Sequence, residues 1–212
     1  MRIPNHVGII PDGNRRWAEG KGLPKEKGYN SGLPPGLQLY RLCRDLGVKE
    51  LTFYGFTQDN TKRPPRQVQA FRKACVDAVE MIAKEDAELL VVGNSKSPLF
   101  PKELVYYRQR RVLGTGGLKV NFLVNYGWQW DLARALNAKA KRCLLSNIQS
   151  TDISRLDLII RWGGRTRLSG FLPVQSIYAD FFVVDAMWPD FDPKHFYDAL
   201  EWYSQQDITL GG

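Results

Sequence analysis

Short runs of consecutive apolar residues alternate along this chain with longer stretches in which apolar residues recur every three or four positions. The runs are typical of buried strands, and the stretches are typical of helices with one buried face. The runs predict strands at 6–10, 51–56, 89–93, 120–124, 158–160 and 181–184. The stretches predict helices at 37–46, 66–84, 102–111, 131–143 and 194–204. This alternation predicts an α/β fold with a mainly parallel central sheet flanked by helices, built as a single domain over residues 1–212.

Two segments rich in glycine interrupt the pattern. Residues 20–35 contain several glycines and prolines and predict an irregular loop along most of their length. The second segment, 114–117, precedes a predicted strand, whereas a glycine loop that binds phosphate follows one. We therefore interpret 114–117 as a turn.

The segment after the first predicted strand carries a carboxylate, an amide and two guanidinium groups. Asp12, Gly13 and Asn14 are followed there by Arg15 and Arg16. Parallel α/β sheets bind ligands at the carboxyl ends of their strands. Arginines bind phosphate oxygens in pairs, and a carboxylate can hold Mg²⁺ against the same oxygens. The segment therefore suits a diphosphate ester, although Asp-Gly-Asn is also common in surface turns.

Composition and charge narrow the class of protein. The chain has 212 residues, of which 43% are hydrophobic and 25% charged, as is typical of a folded domain. Its net charge of +8 favours an anionic partner: phosphate esters, nucleic acid or an acidic membrane surface touched peripherally. Zinc-finger, RNA-recognition and basic-zipper signatures are all missing from the sequence, so no nucleic-acid partner is expected.

The cysteines and the longest apolar runs bear on where the protein works. Cys43, Cys75 and Cys143 lack close pairing and metal-ligand spacing, which favours buried, reduced thiols in a cytoplasmic protein. The two histidines exclude a histidine-rich metal site. No apolar run approaches the roughly 20 residues of a membrane span, so no transmembrane segment is expected.

Five segments, in this order, resemble the motifs of the cis-prenyltransferases, the family of undecaprenyl diphosphate synthase. The first is 6–18, around Asp-Gly-Asn, and the second is 57–64, which resembles the loop Ser-x-Glu-Asn-Trp-x-Arg-Pro. The third is 125–131, which resembles Asn-Tyr-Gly-x-Arg-x-Asp. Segment 157–172 resembles the family's diphosphate-binding arginine segment, and 175–191 matches the next family segment along the chain. Together they cover nearly the whole chain.

The resemblance implies roles for particular residues. Asp12 would position Mg²⁺ and the allylic diphosphate, and Asp180 stands where the family has a glutamate that assists with Mg²⁺. Arg161, Arg167 and Ser169 would hold isopentenyl diphosphate, the second substrate of the family. The residues expected to act in catalysis are Asp12, Asn14, Asn60 and Arg63. The other residues expected to bind the substrates are Gly13, Arg15, Arg16, Trp17, Lys25 and Thr57.

The chemistry of such an enzyme explains this choice of residues. Ionising an allylic diphosphate leaves a carbocation and an anionic leaving group, so the site must bind the developing negative charge and exclude water from the cation. Cations and amide donors serve the first need, and an apolar tunnel serves the second. The resemblance implies that the helix at 66–84 forms one wall of that tunnel, although plain core packing also accounts for its apolar face.

Several positions depart from the family pattern, mostly around the two diphosphate sites. Tyr29 replaces a histidine, Gln129 replaces an arginine, and Arg165 replaces a glutamate. Pro11 replaces a methionine, a change that resembles a divergent branch making irregular, head-to-middle products. The C-terminus lacks the basic residues that reach the neighbouring subunit in the family's homodimers.

Three hypotheses remain for the function. The first is an Mg²⁺-dependent prenyl diphosphate synthase that joins a short allylic diphosphate to isopentenyl diphosphate. Because the region from Val68 to Asn94, which includes most of the wall helix, is about one helical turn shorter than in long-chain members of the family, we expect a short product. The second keeps the fold but couples allylic diphosphates irregularly, cyclises them, or uses another acceptor. The third is a catalytically silent partner subunit, which would not need the charged motif residues. The all-helical trans-type enzymes are excluded, since the chain contains no Asp-Asp pair.

Overall fold

Seven strands form one sheet in a computed structural model that describes residues 1–136 and 144–207. The strands are β1 (His6–Ile10), β2 (Glu50–Tyr54), β3 (Ala87–Val92), β4 (Arg111–Leu113), β5 (Leu118–Leu123), β6 (Leu158–Trp162) and β7 (Asp180–Val184). Their order across the sheet is β4-β3-β5-β2-β1-β6-β7, and every neighbouring pair is parallel except β3 with β4. The predicted fold class is confirmed.

Six helices accompany the sheet in the described part of the chain. They are α1 (Asn14–Gly20), α2 (Gly28–Ser31), α3 (Leu33–Asp45), α4 (Pro65–Ile82), α5 (Trp128–Leu136) and α6 (Pro193–Ser204). Short 3-10 turns occur at Lys25–Lys27, Gln58–Lys62, Lys102–Arg108, Leu144–Asn147 and Trp188–Asp190.

The structure corrects three of the predicted elements. Much of 20–35 is helical rather than irregular, because the prolines at the start of α3 occupy its first turn, where a missing N–H costs nothing. The predicted helix at 102–111 is a 3-10 turn followed by β4, a strand too short to show a pattern. Helix α5 begins before the predicted 131 and is described as far as Leu136, so the remainder of that prediction lies outside the described residues.

The central strands are buried on both faces, and successive side chains enter opposite cores. On β6, Leu158, Ile160 and Trp162 pack on the side that also holds residues of α3, α4 and α6, while Ile159 packs on the other side. Gly8 on β1 lies so close to the Phe171 ring that an added Cβ would stand 2.6 Å from it. Close packing on both faces thus explains why the strands read as continuous apolar runs.

A buried polar cluster ties together the amino-terminal halves of the strands. Asn121 donates to Glu50 Oε1 at 2.7 Å and to Thr52 Oγ1 at 2.9 Å, and it accepts from Arg110 at 2.8 Å. His6 Nε2 lies 2.8 Å from Thr52 Oγ1. The Thr52 hydroxyl accepts from Asn121 and donates its own hydrogen to His6 Nε2.

The other histidine nitrogen and the ionisable groups of this cluster are also satisfied. His6 Nδ1 faces the carbonyl of Ser154 at 3.1 Å, which places the ring proton on Nδ1. Burial lowers the pKa of His6 by more than the charge of Glu50 raises it. Burial raises the pKa of Glu50. The positive charge that His6 carries when protonated, and hydrogen bonds from Ser154 and Asn121, lower that pKa by a larger amount. A neutral histidine and an ionised glutamate therefore coexist in the interior.

The structure also tests the expectations for the thiols and the membrane. Cys43 and Cys75 are buried and free, so the prediction of buried, unpaired thiols is confirmed for these two. Burial raises the pKa of both thiols, that of Cys75 to about 12. Cys143 lies outside the described residues. Within 1–136 and 144–207, no helix has the length and apolar character needed to cross a membrane.

Candidate active site

The site begins where β1 ends, in the turn that leads into α1. Asp12 N–H donates to the carbonyl of Ile10 at 2.9 Å, and Gly13 follows with a φ of 103°. A Cβ on Gly13 would stand 2.6 Å from the sulfur of Met187, so both backbone conformation and space require glycine here. The turn directs the Asp12 carboxylate across the end of the sheet toward β6.

Two arginines meet the Asp12 carboxylate. Arg161 Nη2 donates to Asp12 Oδ2 at 2.7 Å, and Arg16 Nη2 lies 3.6 Å from the same oxygen. The N–H of Gly13 donates to the other oxygen, Oδ1, at 2.6 Å. Burial raises the pKa of Asp12. The hydrogen bond and charge of Arg161, together with Gly13 and Arg16, lower it by a larger amount, so the pKa of Asp12 lies below its usual value. The carboxylate is therefore ionised at neutral pH.

Arg161 is buried next to this carboxylate and is hydrogen-bonded on both terminal nitrogens. It is only 4% exposed, and Nη1 donates to Ser169 Oγ at 3.0 Å and to the carbonyl of Arg167. Its Nε is buried and has no hydrogen-bond partner among residues 1–136 and 144–207. Since its terminal nitrogens already serve Asp12 and Ser169, Arg161 positions these groups as well as contributing positive charge.

A second wall comes from the turn after β2. Thr57 and Asn60 cap the 3-10 turn reciprocally, with the Thr57 N–H donating to Asn60 Oδ1 at 3.0 Å. This cap fixes the turn that ends at Arg63, whose Nη1 donates to the hydroxyl of Tyr29 at 3.0 Å. Tyr29 in turn stacks flat on Phe71 of α4, with ring centroids 4.5 Å apart.

These walls enclose a polar basin of about 1400 Å³, its open mouth included. All but two of the residues predicted for the site line it. The predicted residues that do so are Asp12, Gly13, Asn14, Arg15, Arg16, Lys25, Thr57, Asn60, Arg63, Arg161, Arg167 and Ser169. Arg165 lines the basin as well, so five arginines besides Arg161 share this lining with the Asp12 carboxylate.

The two exceptions are Trp17 and Asp180. The Trp17 indole does not line the basin but donates to Asp190 at 2.7 Å. Asp180 begins β7 and pairs in register with Leu158, three residues before Arg161, so it lies at the opposite end of the strand from Asp12. A single chain therefore does not bring the two predicted metal ligands together.

An apolar tunnel leaves the basin between the sheet and helices α3 and α4, and its empty space is about 640 Å³ with the solvent at its open mouth included. Six residues line both spaces, which makes the tunnel and the basin continuous: Pro11, Asn14, Tyr29, Tyr54, Gly55 and Phe71. On α4 the lining descends from Phe71 through Ala78 to Met81 and Ile82. The wall predicted for 66–84 is where the resemblance implied it.

The opposite wall of the tunnel is not predicted from the sequence. Leu33, Gly36 and Leu37 of α3 line it, and so does Trp188, whose indole N–H donates to the carbonyl of Gly32 at 2.8 Å. The first turn of α3 was hidden in the segment interpreted as a loop. Helical spacing of Leu33, Leu37 and Tyr40 is the signal that would have revealed it.

Comparisons with known proteins agree with this arrangement. Residues 10–211 match the model of the family described as "Putative undecaprenyl diphosphate synthase". Over its whole length the chain is 32% identical to the ditrans,polycis-undecaprenyl-diphosphate synthase ((2E,6E)-farnesyl-diphosphate specific) of Yersinia pseudotuberculosis, of which the match covers 91%. It is also 32% identical to the isoprenyl transferase of Geobacillus kaustophilus, over 99% of the chain and 89% of that protein.

The chain belongs to the cis-prenyltransferase family. Among solved structures, a lavandulyl diphosphate synthase from Lavandula x intermedia in complex with dimethylallyl diphosphate superposes with a TM-score of 0.86. The match covers 99% of this cis-prenyltransferase and 98% of the plant chain, at 22% identity, which shows a shared fold. The activity of this chain is therefore transfer of prenyl groups, of the cis type rather than the trans type.

Proposed function

We propose that this cis-prenyltransferase is an Mg²⁺-dependent synthase that condenses a short allylic diphosphate with isopentenyl diphosphate to give a short-chain cis-prenyl diphosphate. The observation that carries the proposal is the continuity of the two spaces. A basin lined by arginines opens directly into an apolar tunnel, through the residues that line both. Such a pair of compartments matches the two ends of a prenyl diphosphate.

The residues of the basin fit a magnesium ion that is shared with substrate. Within 1–136 and 144–207, no group of three histidine, cysteine or acidic side chains could hold a metal alone. Mg²⁺ is usually bound by one or two carboxylates together with phosphate oxygens and water, and the partly exposed Asp12 supplies such a carboxylate. When bound there, the ion would neutralise charge on the leaving diphosphate.

The chain's own residues divide the remaining work. Arg15, Arg16 and Arg63 present positive charge to the allylic diphosphate, and Arg165 and Arg167 present it to a second diphosphate. The stacked Tyr29 and Phe71 lie at the junction of basin and tunnel, where they cover the reacting end of the tail and keep water from it. Asn14 Oδ1 is buried at the same junction without a partner among the described residues. Because an ionised prenyl diphosphate has no N–H or O–H to donate, the partner of this oxygen would be a water molecule held with the substrate.

The depth of the tunnel supports a short product. Its lining ends at Met81 and Ile82, in the last turn of α4. Just past that turn, the phenol of Tyr40 on α3 donates to the carbonyl of Asp86 at 2.6 Å and joins α3 to the connection between α4 and β3. A tail that follows α4 from Phe71 to Ile82 has about 16 Å of helix beside it.

A second candidate is irregular coupling of two allylic diphosphates, with or without cyclisation. Arg165 favours it, because an exposed guanidinium stands on the acceptor side of the basin where the family has a carboxylate. A missing carboxylate changes how the acceptor is held and how its proton is removed.

Assembly and location are further parts of the proposal. Ile177 and Tyr178 are 65% and 54% exposed beside each other, and a second copy of the chain would cover them in a homodimer. The free thiols of Cys43 and Cys75 support a reducing compartment such as the cytoplasm.

The test is product analysis by mass spectrometry. The purified protein is incubated with Mg²⁺ and dimethylallyl, geranyl or farnesyl diphosphate, each with and without isopentenyl diphosphate. We expect elongation by a few isoprene units only when isopentenyl diphosphate is present. Products from an allylic substrate alone would establish the irregular candidate, and a lack of product under every condition would contradict both.

A further inference from the structure

Gly36 stands out among the glycines that line the tunnel. Gly32, Gly36 and Gly55 all do so, and two of them are required by close packing. A Cβ on Gly32 would stand 2.6 Å from Asn14 Oδ1, and one on Gly55 would stand 2.8 Å from the carbonyl oxygen of Leu123. A Cβ on Gly36 would meet nothing within 4 Å, and its φ does not lie in the left-handed region. Neither packing nor backbone conformation therefore explains Gly36.

The position of Gly36 on α3 faces the interior of the protein. Residues three, four and seven positions along a helix share a face with the first. At Gly36 these residues are Leu39, Tyr40 and Cys43, and each is 0% exposed. An inward-facing position with no atom near its Cβ means that the space in front of it is the tunnel.

A glycine in this place is unfavourable for the helix itself. Gly36 is the fourth residue of α3, and glycine is the worst residue after proline inside a helix because it orders the most flexible backbone. The chain thus carries a weaker helix and a wider tunnel at the same point. The glycine leaves extra space in the tunnel about one helical turn past Leu33, the first residue of α3.

We propose that Gly36 is a specificity-determining residue that makes room for the allylic tail past its first isoprene unit. The inference rests on the proposed function, because the tunnel must hold a prenyl tail. A side chain at this position would narrow the tunnel below its mouth while leaving the basin untouched. The enzyme would then keep dimethylallyl diphosphate and lose longer tails.

The test compares Gly36→Ala and Gly36→Leu with Gly20→Ala and Gly20→Leu. Gly20 is a matched control because it is also helical, also has no atom within 4 Å of a built Cβ, and lies outside the tunnel. Dissociation constants are measured by calorimetry for inorganic pyrophosphate and for the unreactive thiolo-diphosphate analogues of the dimethylallyl and farnesyl esters. Thermal unfolding is recorded for each variant.

The preference is the ratio of the dissociation constant of the dimethylallyl analogue to that of the farnesyl analogue. We expect this ratio to fall from the wild type to Gly36→Ala and again to Gly36→Leu, by about tenfold or more for the leucine variant. Pyrophosphate binding should stay within about twofold, and both Gly20 variants should keep the wild-type preference. Gly36→Ala should also raise the melting temperature by about 2–4 °C, because alanine favours the helix and fills open space.

Each contrary result has one meaning. If the wild type binds pyrophosphate but neither prenyl analogue more tightly, the proposed function fails. If the wild type prefers the farnesyl analogue and a folded Gly36→Leu keeps that preference, the function stands and the inference is wrong. A Gly36→Leu that does not fold would also overturn the inference, since it would show that the space is not open.

Discussion

Two buried polar clusters lie at opposite ends of the same strands, and they differ in how completely their groups are paired. At the amino-terminal end, Asn121, Thr52 and His6 form a continuous chain of donors and acceptors. At the carboxyl end, Asn14 Oδ1 and Arg161 Nε are buried and find no partner in the part of the chain that the structure describes. Protein partners satisfy the first cluster, whereas the second keeps unused hydrogen-bonding capacity beside an open basin.

This difference separates polar groups that stabilise the fold from those available to a ligand. An unpaired buried polar atom costs free energy. Among the described residues with such an atom, Asn14 and Arg161 line the basin, and Arg2, Arg72, Trp162 and Gln175 do not, so only the first two are in place to meet a ligand there. The amino-terminal cluster is closed to the basin and the tunnel, since neither lining includes His6, Asn121 or Glu50. Changes at the two ends should therefore act on different properties of the protein.

The largest effect is expected for Asp12→Asn. The substitution removes the Asp12 carboxylate from the basin, and kcat/KM for prenyl transfer should fall by about 10²–10³-fold, the range for loss of a single preorganised electrostatic group. It also leaves the buried Arg161 without its counter-ion, so we expect the unfolding free energy to fall by about 1–3 kcal/mol, less than for a fully buried pair because Asp12 is one-third exposed. Steady-state kinetics and urea unfolding measure the two effects.

The control for this variant is Asp45→Asn, which removes an exposed carboxylate that pairs with Arg44 away from the basin. It should leave both quantities nearly unchanged. An Asp12→Asn protein that retains most of the activity would remove the central role given to this residue.

The next effect in size is expected for Asn121→Leu at the other end of the sheet. Leucine is similar in size but leaves Glu50, Thr52 and Arg110 short of partners, so the free energy of unfolding should fall by about 2–3 kcal/mol. The kcat/KM of the folded fraction should stay within about twofold. Urea unfolding and kinetics on the same preparation measure both, and Lys119→Leu, at an exposed position of the same strand, is the control. A loss of activity without a loss of stability would break the distinction between the two ends.

Much of the fold follows from the sequence because it depends on local patterns. Six of the seven strands are visible as apolar runs, since parallel strands are buried on both faces. Strand β4 escapes because three residues are too few for periodicity. The first turn of α3 escapes because its prolines are typical of loops, although they also suit the start of a helix.

The site is predictable only in part, for a different reason. Residues such as Asp12 and Arg161 are recognisable by motif, and the parallel register of β1 with β6 brings them together. The register of β6 with β7 takes Asp180 away from Asp12, and the sequence does not show it because the strand order and the starting point of β7 are long-range properties. Gly36 is invisible to motif reasoning, because its significance lies in the space around it rather than in its side chain.

The smallest effect concerns the pH dependence of stability, and it distinguishes the two ends by the pH range in which each loses its contribution to stability. Burial lowers the pKa of His6 below its ordinary value of 6.5, against the charges of Glu50 and Asp157 that face it. The unfolded chain therefore takes up this proton first as the pH falls, and wild-type stability should decline below about pH 6.5. His6→Gln lacks this contribution, so the difference between the melting temperatures of the wild type and His6→Gln should shrink by a few degrees from pH 7.5 to 5.0.

Asp12 provides the contrast for the same measurement. Its pKa lies below the ordinary value of 3.8, so its contribution to stability is complete above that pH and is lost only as the pH falls through the lower folded value. The difference between wild type and Asp12→Asn should accordingly stay constant from pH 7.5 to 5.0. If the difference in melting temperature between wild type and Asp12→Asn changed over this range, the pKa direction given for Asp12 would be wrong. If the difference between wild type and His6→Gln did not change, the pKa direction given for His6 would be wrong. A slope for His6→Gln alone would place the pH sensitivity near neutrality in the closed cluster, apart from the groups that face the substrate.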